Sequence, residues 1–170
     1  NTAIGYRAML KLTTGAENVA IGKKAMEEAD GTESYNVAIG YNCMGDVDHD
    51  DSDANVAIGG SALAGGDAAV SNCVAIGYNA LDHTAGNAQD GTVAIGKGAL
   101  TDLTSGAGNI AVGYQAIDGI TTGNRNIAIG YTALGDAGGA TVLGSDDNLF
   151  IGHIAGGGAW ETAVSTKNVG

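Results

Sequence analysis

One phrase is written nine times along this chain: Asn or Thr, an aliphatic residue, Ala, Ile and Gly. Its anchor glycines are Gly5, Gly22, Gly40, Gly59, Gly77, Gly96, Gly113, Gly130 and Gly152, separated by 17, 18, 19, 18, 19, 17, 17 and 22 residues. Self-similarity at a fixed short period marks a solenoid, in which every coil packs mainly on its two neighbours. A repeated coil multiplies surface more readily than it builds one asymmetric pocket, so the repeat also argues against an enzyme.

Alignment on the anchor shows what each position has to do. Immediately before it stand Ile4, Ile21, Ile39, Ile58, Ile76, Ile95, Val112, Ile129 and Ile151, an unbroken aliphatic ladder. Two residues earlier stands Thr2 in the first repeat and a second aliphatic in the other eight, with Ala between the two positions in eight of nine repeats and Phe150 in the last. Large and small apolar residues at period two describe a strand covered on both faces, with the Ala face closely approached. Three residues after the anchor a further ladder runs through Ala8, Ala25, Cys43, Ala62, Ala80, Ala99, Ala116, Ala133 and Ala155, beside Met, Leu or Ile in most repeats. This second ladder predicts a second short strand. Polar, Gly-rich stretches of varying length between the coils read as turns and outward loops.

The fold class is therefore all-β: a parallel β-solenoid of about nine coils over residues 1–152, with 153–170 as a degenerate last coil, neck or cap. The stretch Ala140 to Gly144 is a candidate degenerate coil of its own. Composition agrees, since 30 Gly, no Pro and 5% aromatic residues in 170 leave only a thin core. A helical solenoid is disfavoured, because Val-Ala-Ile-Gly suits no helix and the longest helical stretch, Lys23 to Asp30, is short. Stacking at about 4.8 Å per coil gives a rod of roughly 40 Å. The chain opens inside a repeat without Met, as expected of a segment of a longer protein.

Stacking repeats the chemistry of each position along the rod. Four residues before the anchor stand Asn1, Asn18, Asn36, Asn55, Cys73, Thr92, Asn109, Asn126 and Asn148, a structural ladder whose amides can bond to one another and to turn backbone. Just after the anchor, Tyr6, Tyr41, Tyr78, Tyr114 and Tyr131 form a candidate surface-binding row, interrupted by Lys23, Gly60 and Lys97; the alternative use of this row is as cover over the bend. Acid concentrates in Asp46 to Asp53. There Asp46, Asp48 and Asp50 are candidate Ca²⁺ ligands, because alternate carboxylates can converge on a hard cation; the absence of Gly at the sixth and Glu at the twelfth position leaves a solvated acidic loop as the other reading. No other cofactor is expected.

Asn-Val-Ala-Ile-Gly and its variants resemble the repeat of trimeric autotransporter adhesin heads. The longer form, Asn109-Ile-Ala-Val-Gly-Tyr-Gln-Ala-Ile117 followed by Thr-Thr-Gly, is similar to repeats of bacteriophage tail-fibre and related virion proteins. The resemblance covers the chain to about Gly152 and implies a left-handed parallel β-roll with three chains around a common axis. Coils of 17 to 19 residues fit the phage-fibre form better, the adhesin repeat being shorter and more constant. The implied role is a non-enzymatic structural and adhesive fibre segment on a virion or outside the cell, its loops presented to a host receptor or glycan. The partners would be two copies of itself and the neighbouring fibre segments. The alternative is an adhesin head on a bacterial surface. A trimer also answers a physical need, since an exposed aliphatic stripe invites association.

Other functions are excluded or disfavoured. With 7 Lys+Arg against 19 Asp+Glu the net charge is −12, which disfavours a nucleic acid backbone as partner. No apolar run reaches membrane-spanning length, so no membrane insertion is expected within the segment. Catalytic residues: none, because no nucleophile elbow, phosphate-binding loop or paired metal-spaced Cys occurs. His49, His83 and His153 share no repeat position, although three copies of one His could meet on a three-fold axis. Ice binding is disfavoured because Thr forms no ladder. Cys43, in the Ala ladder, and Cys73, two coils away, are expected as buried free thiols. The loops Asp46 to Asp53 and Asp82 to Asp90 are expected to protrude most and to be the first sites of limited proteolysis.

Overall fold

The computed structural model describes residues 1–66, 69–84, 89–135 and 146–157. The phrase Val-Ala-Ile is a three-residue strand in every coil. These are β1 (Thr2–Ile4), β2 (Val19–Ile21), β3 (Val37–Ile39), β4 (Val56–Ile58), β5 (Val74–Ile76), β6 (Val93–Ile95), β7 (Ile110–Val112), β8 (Ile127–Ile129) and β9 (Leu149–Ile151). They form one parallel sheet in the order β1 to β9, and equivalent residues face each other throughout, as in Ala20↔Ala38 and Ile21↔Ile39. The chain is a β-solenoid of β-roll repeats. No helix occurs among the described residues, and the candidate degenerate coil at 140–144 lies outside them.

The sheet turns its small side chains inward. Ala20, Ala38, Ala57, Ala75, Ala94, Ala111 and Ala128 are fully buried, while the aliphatics on either side are half-buried or exposed on the outer face. Opposite the Ala column the interior is filled by Met26, Met44, Leu63, Leu81, Leu100 and Ile117 with the column Ala25, Cys43, Ala62, Ala80, Ala99, Ala116, and by Val47, Val70, Leu103 and Ile120 from the loops. Burial of each Met or Leu contributes about 1.5–3 kcal/mol. The Ala residues matter by letting two layers of backbone come close.

The segment after the anchor differs from expectation, since it is a hydrogen-bonded turn and not a strand. Alternate residues are left-handed, as in Lys24 (φ 64) and Met26 (φ 51), then Asn42 (φ 51) and Met44 (φ 49). A left-handed non-glycine residue costs on the order of 1 kcal/mol, and here inter-coil bonds offset it. The Lys24 N–H donates back to Tyr6 O at 2.9 Å, whereas the Met26 N–H donates forward to Cys43 O at 3.0 Å. The pattern recurs coil after coil, so backbone polar groups are satisfied without an extended second strand. The ninth coil makes the same turn beyond Gly152, with Ile154 N–H donating to Tyr131 O; only 158–170 of the expected end region lies outside the described residues.

Candidate functional site

The outer face of the sheet is the first candidate surface. Ile4, Ile58, Ile129 and Ile151 are 58, 37, 39 and 58% exposed, and the other members of the ladder are half-buried. Successive coils therefore present a continuous Val/Ile stripe along the rod. One residue beyond each anchor the Tyr row stands outward: Tyr6, Tyr41, Tyr78 and Tyr131 are more than half exposed, and Tyr114 is less so. Tyr114 and Tyr131 stack at 5.1 Å between centroids, and His153 continues the stack on Tyr131 at 5.4 Å. Lys23 and Lys97 lie 5.8 Å over the rings of Tyr41 and Tyr114, so the lysines that interrupt the row are cation–π partners within it. A shallow pocket opens between Tyr78, Lys97, Gly98 and Tyr114, where Gly98 leaves room.

The Asn ladder is interior. Asn18, Asn36, Asn55, Asn109, Asn126 and Asn148 are all buried, and their amides link neighbouring coils. In Asn36, Oδ1 accepts the Asn55 N–H at 3.0 Å and Nδ2 donates to Ser52 O at 2.8 Å. Cys73 replaces the donor half of this arrangement, its thiol donating to Gln89 O at 3.1 Å, while Thr92 Oγ1 is buried without a partner.

A second ladder, six residues before the anchor, was not read from the sequence. There the side-chain oxygen accepts the N–H of the preceding coil: Ser34 N–H donates to Asp53 Oδ1 at 2.6 Å, Ser71 N–H to Asp90 Oδ1 at 3.0 Å, and Asn124 N–H to Asp146 Oδ1 at 2.7 Å. Its signal was available as Ser, Asp or Asn at positions 34, 53, 71, 90, 124 and 146.

The acidic loop is arranged differently from the proposed trio. No cation-sized group among the described residues combines Asp46, Asp48 and Asp50. Burial pushes the Asp82 carboxyl up, with His83 opposing and Asp46 adding to the rise. Asp50 instead joins Asp30 and Glu33 of the preceding loop. The histidines stand apart: His49 lies 3.9 Å from Asp51, His83 lies 3.6 Å from Asp102, and His153 belongs to the aromatic stack. Glu27 is buried and ion-paired by Arg7 and Lys24.

Both cysteines are buried free thiols. Desolvation pushes Cys43 up to about 12 and Cys73 to about 11, from an ordinary 9.0. A raised folded value stabilises the fold below the unfolded value and loses that contribution as pH climbs toward the folded one. Both thiols are expected to be silent to Ellman's reagent at about pH 8 in the folded protein and to react fully in denaturant. The urea midpoint should stay level up to pH 9 and decline between there and 12, less steeply in Cys43→Ala, which restores the ladder residue.

No protein-family model, curated protein or solved structure matches this chain.

Proposed function

We propose that the chain is a non-enzymatic fibre segment: a stiff homotrimeric β-roll of a phage tail fibre or similar virion appendage, whose loops and Tyr row meet a host surface. The observation that carries this reading is the unpartnered Val/Ile stripe running the length of the sheet's outer face. An apolar face of this length is stabilised by burial, and a three-fold arrangement closes on itself without leaving a copy of the stripe exposed. The Tyr rings beside it offer stacking surfaces suited to sugar rings, and the Lys ammonium groups offer hydrogen-bond donors next to them. Loops that change length from coil to coil, between turns that do not, favour a fibre over the shorter and more uniform adhesin head.

Light scattering tests the assembly. Three chains of 16.7 kDa make a particle of about 50 kDa, expected with and without EDTA. Ile58→Asp, at the middle of the stripe, should release folded monomer with its β signal retained. A wild-type monomer of 16.7 kDa would overturn the reading.

A further inference from the structure

The structure assigns a Ca²⁺ site to the junction of the second and third loops, formed by Asp30, Glu33 and Asp50. One carboxylate oxygen from each lies within 4.8 Å of those of the other two. Two oxygens bound at about 2.4 Å to one Ca²⁺ are at most about 4.8 Å apart, so the cluster has the dimensions of a single hard-cation site. Mg²⁺, which demands near-ideal octahedral geometry at about 2.1 Å and dehydrates reluctantly, is less suited to three carboxylates contributed by two loops.

Three features distinguish this cluster from a solvated acidic patch. Glu33 is fully buried, its Oε2 accepts the Gly31 N–H at 3.0 Å, and its Oε1 has no hydrogen-bond partner. A buried carboxylate with one oxygen unsatisfied is costly unless a cation completes it. None of the ion pairs among the described residues involves Asp30, Glu33 or Asp50; the nearby Lys11 is paired with Glu28. Asp50 is also positioned and not merely nearby, since its Oδ1 accepts the Thr32 N–H at 3.2 Å and lies so close over Gly31 that a Cβ there would meet the carboxyl carbon at 2.9 Å. An all-carboxylate donor set selects hard ions over Zn²⁺ or Cu²⁺. Two of the ligands are exposed, which leaves room for water to complete the shell. The ion would staple one coil to the next, a role independent of how many chains assemble.

The test is calorimetric titration of EDTA-treated protein with CaCl₂, and thermal unfolding with and without the ion. One Ca²⁺ per chain and a rise in the unfolding temperature are expected. Asp50→Asn, a change at an exposed side chain, should weaken Ca²⁺ binding by at least about tenfold. Glu33→Gln keeps the acceptor for Gly31 N–H and should do the same. Without Ca²⁺ both variants should melt at or above the wild-type temperature, because repulsion is relieved; with Ca²⁺ they should melt below it. That reversal is not expected of a purely structural defect. Asp46→Asn, outside the cluster, should bind as wild type. Absence of stoichiometric binding, an equal response to Mg²⁺ at matched ionic strength, or binding indifferent to Asp50→Asn would overturn the assignment.

Discussion

Gly59→Ala should be among the most damaging single-methyl additions to this chain, while Gly60→Ala, one residue on, should be nearly silent. At Gly59 φ is +136, a conformation that side chains of L-residues rarely adopt. A Cβ there would fall 2.7 Å from the Gly77 carbonyl carbon and closer still to its oxygen. The obstacle is the backbone of the next coil, already fixed by Gly77 N–H donating to Ile58 O, so relief requires separating β4 from β5. Strain and overlap together should cost more than about 4 kcal/mol. In a solenoid the damage stays next to the coil that carries it, so amide exchange should quicken first in Val56–Ile58 and Val74–Ile76 and spread little beyond. At Gly60 an added Cβ would meet only the Tyr78 ring, at 3.3 Å, in a row where most coils carry a side chain. Its effect should stay within about 0.5 kcal/mol. Equal melting temperatures for the two variants would show that the anchor does not need glycine.

The strands were legible because Val-Ala-Ile alternates at period two and the Gly that follows permits an unusual φ. Which face turns inward was not legible. Ile and Val are the larger apolar residues, yet they line the outside and Ala lines the core, because two layers of backbone approach there and only a methyl fits. The turn after the anchor was misread as a strand for a related reason. Bulky Met26, Met44 and Leu63 occupy left-handed positions that their intrinsic preferences oppose, and inter-coil hydrogen bonds override those preferences. The smaller hints, Asn42, Asn79 and Gly98 two residues after the anchor, are outnumbered in that column.

The candidate sites divide along the same line. A column that keeps one residue type can be read by alignment, as with the Asn ladder and the Tyr row. The ladder six residues before the anchor alternates Ser, Asp and Asn, which share a function and not a name. The Asp30, Glu33 and Asp50 cluster joins two loops, so its members are close only after coils stack. Spacing within one loop pointed to Asp46 and Asp48 because local spacing is all a linear reading offers there.

Asn36→Ala should destabilise the rod by about 2–5 kcal/mol, since it leaves buried groups of the next coil without partners. Asn36 Oδ1 accepts from both the N–H and the Nδ2 of Asn55, each at 3.0 Å, and its Nδ2 satisfies Ser52 O, whose residue is fully buried. The position demands one acceptor facing the next coil's N–H and one donor facing its loop carbonyl. Asp supplies only acceptors when ionised, so Asn36→Asp should be worse than Ala at neutral pH and should recover toward acid, where a protonated carboxyl can donate. The chain contains its own comparison at Thr92, whose buried Oγ1 has no partner. Thr92→Asn restores the ladder residue between Cys73 and Asn109 and should therefore raise stability by about 1 kcal/mol. Urea unfolding of the two variants gives opposite signs if the ladder amides hold the coils together. A Thr92→Asn protein no more stable than wild type, beside an Asn36→Ala protein no less stable, would assign the cohesion to the Ala and Met columns alone.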